Sequence, residues 1–181
     1  VKKEKPMNRR TLMTVLGGAS LMTAIPAPGQ TQIADADRTG VQGWLDECAD
    51  AWATSDAERM FRSADDDVEW VNIVGMHWRG KAQVVGVHAL YLNTMFKGVP
   101  MSLKSIESVR SVGPDVVIAV VRWSVGQFSP PDGSIVPASD DRMTLVFRRS
   151  PAGLQLVHGA NVQINAIAEQ FDQSKGPPPT S

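Results

Sequence analysis

The chain has 181 residues, 43% of them hydrophobic, and a formal net charge of −1. That is the length of one domain with an appended segment, and the composition of a globular protein rather than a disordered or fibrous one. The near-zero charge excludes the basic footprint of a nucleic-acid-binding surface. Cys48 is the only cysteine, so no internal disulfide forms.

The chain opens with a leader. Met7-Asn8-Arg9-Arg10-Thr11-Leu12 supplies a positive start, and residues 13–25 are a mostly apolar run softened by Gly17, Gly18 and Ser20. The run is short of the roughly 20 apolar residues of a membrane span. Together with the small-x-small site Ala34-Asp35-Ala36 it has the pattern of a signal peptide over residues 1–36. Arg9-Arg10 resembles a twin-arginine signal, although the serine and phenylalanine of the full pattern are missing. The expectation is an exported protein, periplasmic or secreted, with no stable membrane span after processing.

Thr39 is placed to cap a helix over 39–53, with Val41, Trp44, Leu45, Cys48 and Trp52 as its apolar stripe. Asp56 caps a short helix over 57–63. Asp65-Asp66-Asp67 reads as a solvated, pattern-breaking run. A strand over 68–73 and a turn over 75–80 follow. Residues 81–96 have helical periodicity with Val84, His88, Tyr91 and Met95 on one face, stopped by Gly98 and Pro100. Strands are predicted over 102–112, 116–128, 140–149 and 154–164. Gly113-Pro114-Asp115 and Pro151-Ala152-Gly153 turn the chain, and a Pro/Gly-rich loop spans 129–139. The fold class is therefore α+β, a curved antiparallel sheet packed by N-terminal helices. The domain is expected over 37–167 and a flexible tail over 168–181.

Trp52, Asp56, Val71-Asn72, Gly75, Trp78-Arg79-Gly80, His88, Phe96-Lys97, Pro114-Asp115, Trp123, Thr144-Leu145-Val146 and Asn161 occur in an order that resembles the nuclear transport factor 2-like superfamily, in its SgcJ/EcaC-type, SnoaL-like branch. One departure is Gly153-Leu154-Gln155-Leu156, where that family has Gly-x-Trp. The resemblance implies a cone-shaped, cystatin-like fold with a pocket at its open end, and frequent dimerisation through the outer sheet face. Valines and isoleucines on both faces of 116–121 are consistent with a homodimer.

Six residues are candidates for the site. His88, on the inner face of its helix, suits proton exchange, because an imidazole titrates near neutral pH; a packed core role competes. Tyr91, the only tyrosine, lies one turn away and offers a hydroxyl. Asn161 would orient a carbonyl or oxyanion, or pin the end of its strand. Trp123 is expected inward as wall area, with Trp70 and Asn72 nearer the mouth. His77, His88 and His158 fall in separate elements, and neither C-x-x-C nor H-E-x-x-H occurs, so no metal or cofactor is expected. Cys48 reads as a small core hydrophobe. Asp140-Asp141-Arg142 holds the residue types of an Asp-Arg-Asp water relay, but period-two alternation splits their directions, and they read as strand-start surface charge.

Three readings follow. The first is a module binding a small apolar or aromatic ligand. The second is an isomerase, cyclase or hydrolase using His88, Asn161 and Tyr91. The third is a non-catalytic association domain.

Overall fold

The computed structural model describes residues 28–172, 174 and 176. The leader read over 1–36 falls mostly outside them, as does half of the expected tail.

Helix α1 spans Pro28–Ala53 and α2 Ala57–Met60. Strands β1 (Ala64–Val71) and β2 (His77–Arg79) precede helix α3 (Lys81–Asn93). Strands β3 (Met101–Val112), β4 (Val116–Val125), β5 (Ser139–Ser150) and β6 (Gly153–Gln163) follow, and a short α4 (Ala166–Glu169) is the last described element. The six strands form one sheet in the order β2-β1-β6-β5-β4-β3. Three of the predicted elements shift in ways the side chains explain.

Helix α1 does not begin at Thr39. Its hydroxyl donates to the Asp35 carbonyl, 2.9 Å away and one turn back, so a residue suited to capping sits inside the helix instead. Four residues of the predicted stripe face the core: Val41, Trp44, Leu45 and Cys48 are buried, as is Ala51, which is not part of it. Trp52 lies at the margin and donates its indole N–H to the Val99 carbonyl at 2.7 Å. Asp56 caps α2 as expected, accepting from the Arg59 amide. The Arg59 guanidinium is held by Glu47 and Asp50, which ties α2 to α1.

Asp65, Asp66 and Asp67 lie within β1 rather than in a loop. They occupy the stretch where pairing with β6 is irregular, between Ala64 and Glu69, and Asp65 pairs with Arg148. A strand tolerates such a run because its inward residues, Ala64, Val68 and Trp70, suffice to bury one face. Helix α3 stops at Asn93 rather than 96. The side chains of Asn93 and Thr94 donate to the Ala89 and Leu90 carbonyls, taking acceptors of the last turn.

The sheet is also not wholly antiparallel. β1 pairs parallel with β6, while β1–β2, β3–β4, β4–β5 and β5–β6 are antiparallel. The two parallel strands are far apart in sequence, so the long connection a parallel pair requires is present.

The helices cover one face of the sheet. Inward residues of every strand but β2's flanks meet α1, α2 and α3 in a single core that includes Trp123, Phe61, Phe147, Leu45 and Leu92. At Gly40 of α1 a Cβ would stand 3.0 Å from a Leu154 side-chain carbon, so the helix approaches the sheet closely there. Helix α1 is tied at Asp37 to the ends of β3 and β5. Buried Asp37 accepts from the Arg149 guanidinium, whose Nε lies 3.0 Å away, and from the Ser111 hydroxyl at 2.6 Å.

Candidate functional site

Alternation along β4 buries Val117, Ala119, Val121, Trp123 and Val125. On β5 the same face carries Asp141, Met143, Leu145 and Phe147. Register then sets the neighbours. Trp123 stands opposite Asp141, and Met143 opposite Asn161. Trp123, Asp141 and Asn161 thus come from three adjacent strands on one inner face, near the β4–β5 loop. Asp141 and Asn161 are diagonal neighbours, a relation of roughly 7–8 Å between backbones.

None of the three has the partners its burial calls for. The Trp123 indole N–H and the Asn161 Oδ1 are buried without a hydrogen bond. The Asp141 carboxylate is 6% exposed and has one polar contact, the Ser139 hydroxyl at 3.5 Å. Burial pushes its pKa up to about 6, and the neighbouring Asp140 charge adds to the rise; the Ser139 hydroxyl opposes it. Asp140 itself points outward to Arg122, and Arg142 outward to Glu107. The expected splitting of directions holds, but the surface-charge reading of Asp141 does not. Its phase with Met143, Leu145 and Phe147 was the available signal. Trp44 also has an unpartnered indole N–H, against Phe147 at the other end of the sheet. An orphan indole alone therefore does not define a site; the cluster of three polar groups does.

Next to this cluster lies an aromatic one. Trp70 of β1 stands opposite Gly159 of β6. A Cβ on Gly159 would be 2.2 Å from the Trp70 ring, so only glycine lets the indole lie flat across the sheet there. His88 sits among Phe61, Trp70 and Trp78, with ring centroids 4.6, 5.3 and 5.3 Å away. Its Nδ1 is 2.7 Å from the Val84 carbonyl. Burial pushes the His88 pKa down to about 4, with the Val84 carbonyl pulling weakly the other way. The ring is therefore neutral at pH 7, and because a carbonyl only accepts, Nδ1 carries the proton. Nε2 is left as an acceptor and a weak base.

The other candidates are distributed as follows. Tyr91 packs against Trp78 at 5.9 Å, with its hydroxyl 3.8 Å from the Met76 sulfur at the rim. The Asn72 Oδ1 accepts from the Val74 and Met76 amides, so that side chain organises its own turn. Trp70 is the link between the two clusters, since it touches His88 and crosses the sheet two residues before Asn161. No hydrogen bond joins His88 to Asn161 or Tyr91. Cys48 is buried, and burial raises its thiol pKa to about 12, which makes it an unreactive core residue. Among the described residues no group of three or more potential metal ligands converges. An open groove of about 860 Å³ lies elsewhere, between the α1–α2 turn and α3, lined by Ser55, Asp56, Asp66, Lys81 and Gly86 among others. It contains none of the candidate residues.

No protein-family model matches the sequence, and no curated protein matches it. Solved structures do. A Caulobacter vibrioides protein described as uncharacterized with a cystatin-like fold is 32% identical, with a TM-score of 0.73, over 77% of this chain and 97% of that one. An NTF2-like protein with a cystatin-like fold from Novosphingobium aromaticivorans is 19% identical with a TM-score of 0.59, over 80% and 94% of the two chains. A ketosteroid isomerase-like protein from Erwinia carotovora atroseptica is 15% identical with a TM-score of 0.57, over 73% and 96%. The chain belongs to the nuclear transport factor 2-like superfamily.

Proposed function

We propose that this protein is an exported, SgcJ/EcaC-type member of its superfamily that binds a small apolar or aromatic molecule between the inner sheet face and α3. The observation that carries the reading is the pair of unpartnered polar atoms on Trp123 and Asn161, with the Asp141 carboxylate between them held only by the Ser139 hydroxyl, beside the aromatic surround of His88. Buried polar groups are almost always paired, and a cluster that is not has the character of a site awaiting a partner. Trp70 and Trp78 supply wall area, and Tyr91 stands at the rim.

Titration with the uncharged fluorescent probe N-phenyl-1-naphthylamine tests the reading. Saturable enhancement at one probe per chain is expected, and a linear, non-saturating response would sink it. A second, enzymatic reading is favoured by Asp141 rather than by His88. A carboxyl titrating near neutral pH is suited to proton transfer, whereas an imidazole held near 4 is a poor base at pH 7.

Two further elements belong to the proposal. Export rests on the leader pattern, and N-terminal sequencing of the cell-derived protein should find residues up to about Ala36 removed. Homodimerisation rests on the outer sheet face, where Ile118, Val120 and Val146 are only partly covered and Val162 is 65% exposed. Light scattering at micromolar concentration should report twice the monomer mass.

A further inference from the structure

We infer that the occupant of this site is an uncharged molecule carrying an amide-type group, one that offers a hydrogen-bond acceptor and a donor together. The inference rests on the ligand-site reading above and deepens it. The Trp123 Nε1–H can only donate, so it needs an acceptor on the ligand. The Asn161 Oδ1 can only accept, so it needs a donor. Asp141 lies on the strand between them, and no cation lies within salt-bridge reach of it among the described residues.

Each simpler ligand chemistry leaves one of these groups worse off. A ketone or ester satisfies Trp123 but leaves the Asn161 oxygen bare. A carboxylate also satisfies Trp123, then faces the Asn161 oxygen and the Asp141 carboxyl. An ammonium satisfies the two oxygens but brings nothing to the indole N–H, and a buried donor left unpaired keeps its desolvation penalty. A carboxamide or lactam answers all three, and its carbon skeleton meets the Trp70 and Phe61 rings, which are 5.5 Å apart in an edge-to-face arrangement.

A matched probe set decides the matter: toluene, benzamide, benzoate and benzylamine, each titrated by calorimetry. In parallel, the indole N–H resonance of Trp123, identified among the five tryptophans with Trp123→Phe, is followed by NMR. Benzamide is expected to bind about tenfold or more tighter than toluene, the equivalent of one or two net hydrogen bonds. It should also move the Trp123 indole resonance downfield, with benzoate and benzylamine weaker than benzamide. Asn161→Leu, checked for an unchanged backbone spectrum, should bring benzamide and toluene to within about threefold of each other. If toluene binds as well as benzamide, the ligand-site reading stands and the amide chemistry is wrong. Tightest binding by benzylamine, lost in Asp141→Asn, would overturn it in favour of an amine site. If none of the four probes binds or shifts the resonance, the ligand-site reading falls and the inference with it.

Discussion

Asp37 and Asp141 are the two buried charged residues among those described, and they stand at opposite ends of the same sheet. Asp37 is saturated: the Arg149 guanidinium engages both carboxylate oxygens, the Ser111 hydroxyl donates as well, and Arg149 is steadied by the Pro114 carbonyl. Asp141 has a single long contact to Ser139, and its neighbours Trp123 and Asn161 are unpaired too. Equal burial with opposite satisfaction separates two jobs. The first end holds the helix to the sheet. The second keeps polar groups out of water without using them, which lowers stability and is retained where a partner molecule can use them.

The comparison predicts opposite responses to mutation. The largest effect is expected at the satisfied end. Arg149→Ala leaves Asp37 buried without its cation and should cost about 3–5 kcal/mol in urea denaturation at pH 7, the usual penalty for breaking a buried pair from one side. A loss below about 1 kcal/mol would mean that Asp37 is hydrated in solution and the two ends do not differ.

Asp141→Asn should do the reverse and stabilise the protein at neutral pH, by up to about 2–3 kcal/mol. The sign follows from the raised pKa, about 6 against an ordinary 3.8. Between those values the folded state binds more protons at Asp141 than the unfolded chain does, so the contribution of this one group falls as pH rises from about 4 to 6 and is level above. Paired melts across that range should diverge toward high pH and converge below pH 4.

His88 has the opposite dependence, and the effect should be comparable or smaller. Its pKa is lowered from 6.5 to about 4, so its contribution is intact above pH 6.5 and is lost as the solution is acidified toward 4. His88→Phe keeps a ring among Phe61, Trp70 and Trp78 and should flatten that acid-side loss; an unchanged slope would show the imidazole to be solvated. In the wild type the two slopes oppose one another between about pH 4 and 6, so only the single variants reveal them. The smallest effect concerns Cys48, whose thiol should stay unlabelled by a disulfide reagent in folded protein and react fully in urea.

Much of this molecule is legible in its sequence. Composition and periodicity place every long element, because strands and amphipathic helices announce themselves by which residues repeat. The ordered motifs from Trp52 to Asn161 identify the superfamily for the same reason: they mark turns, caps and inward positions along the chain. The alternation of Met143, Leu145 and Phe147 carries the signal for an inward Asp141, which the surface-charge reading of Asp140-Asp141-Arg142 passes over. What tertiary structure alone decided is satisfaction. Whether a buried carboxylate meets an arginine, as Asp37 meets Arg149 across 112 positions of sequence, or meets only a hydroxyl, as Asp141 does, depends on which strands and turns are brought side by side. The same holds for Asn72, whose amide oxygen is consumed by its own turn, and for Trp70, which bridges the two clusters only because β1 pairs in parallel with β6 over Gly159. Periodicity is a local property of the chain; hydrogen-bond partnership in a β-rich core is a property of register between distant strands.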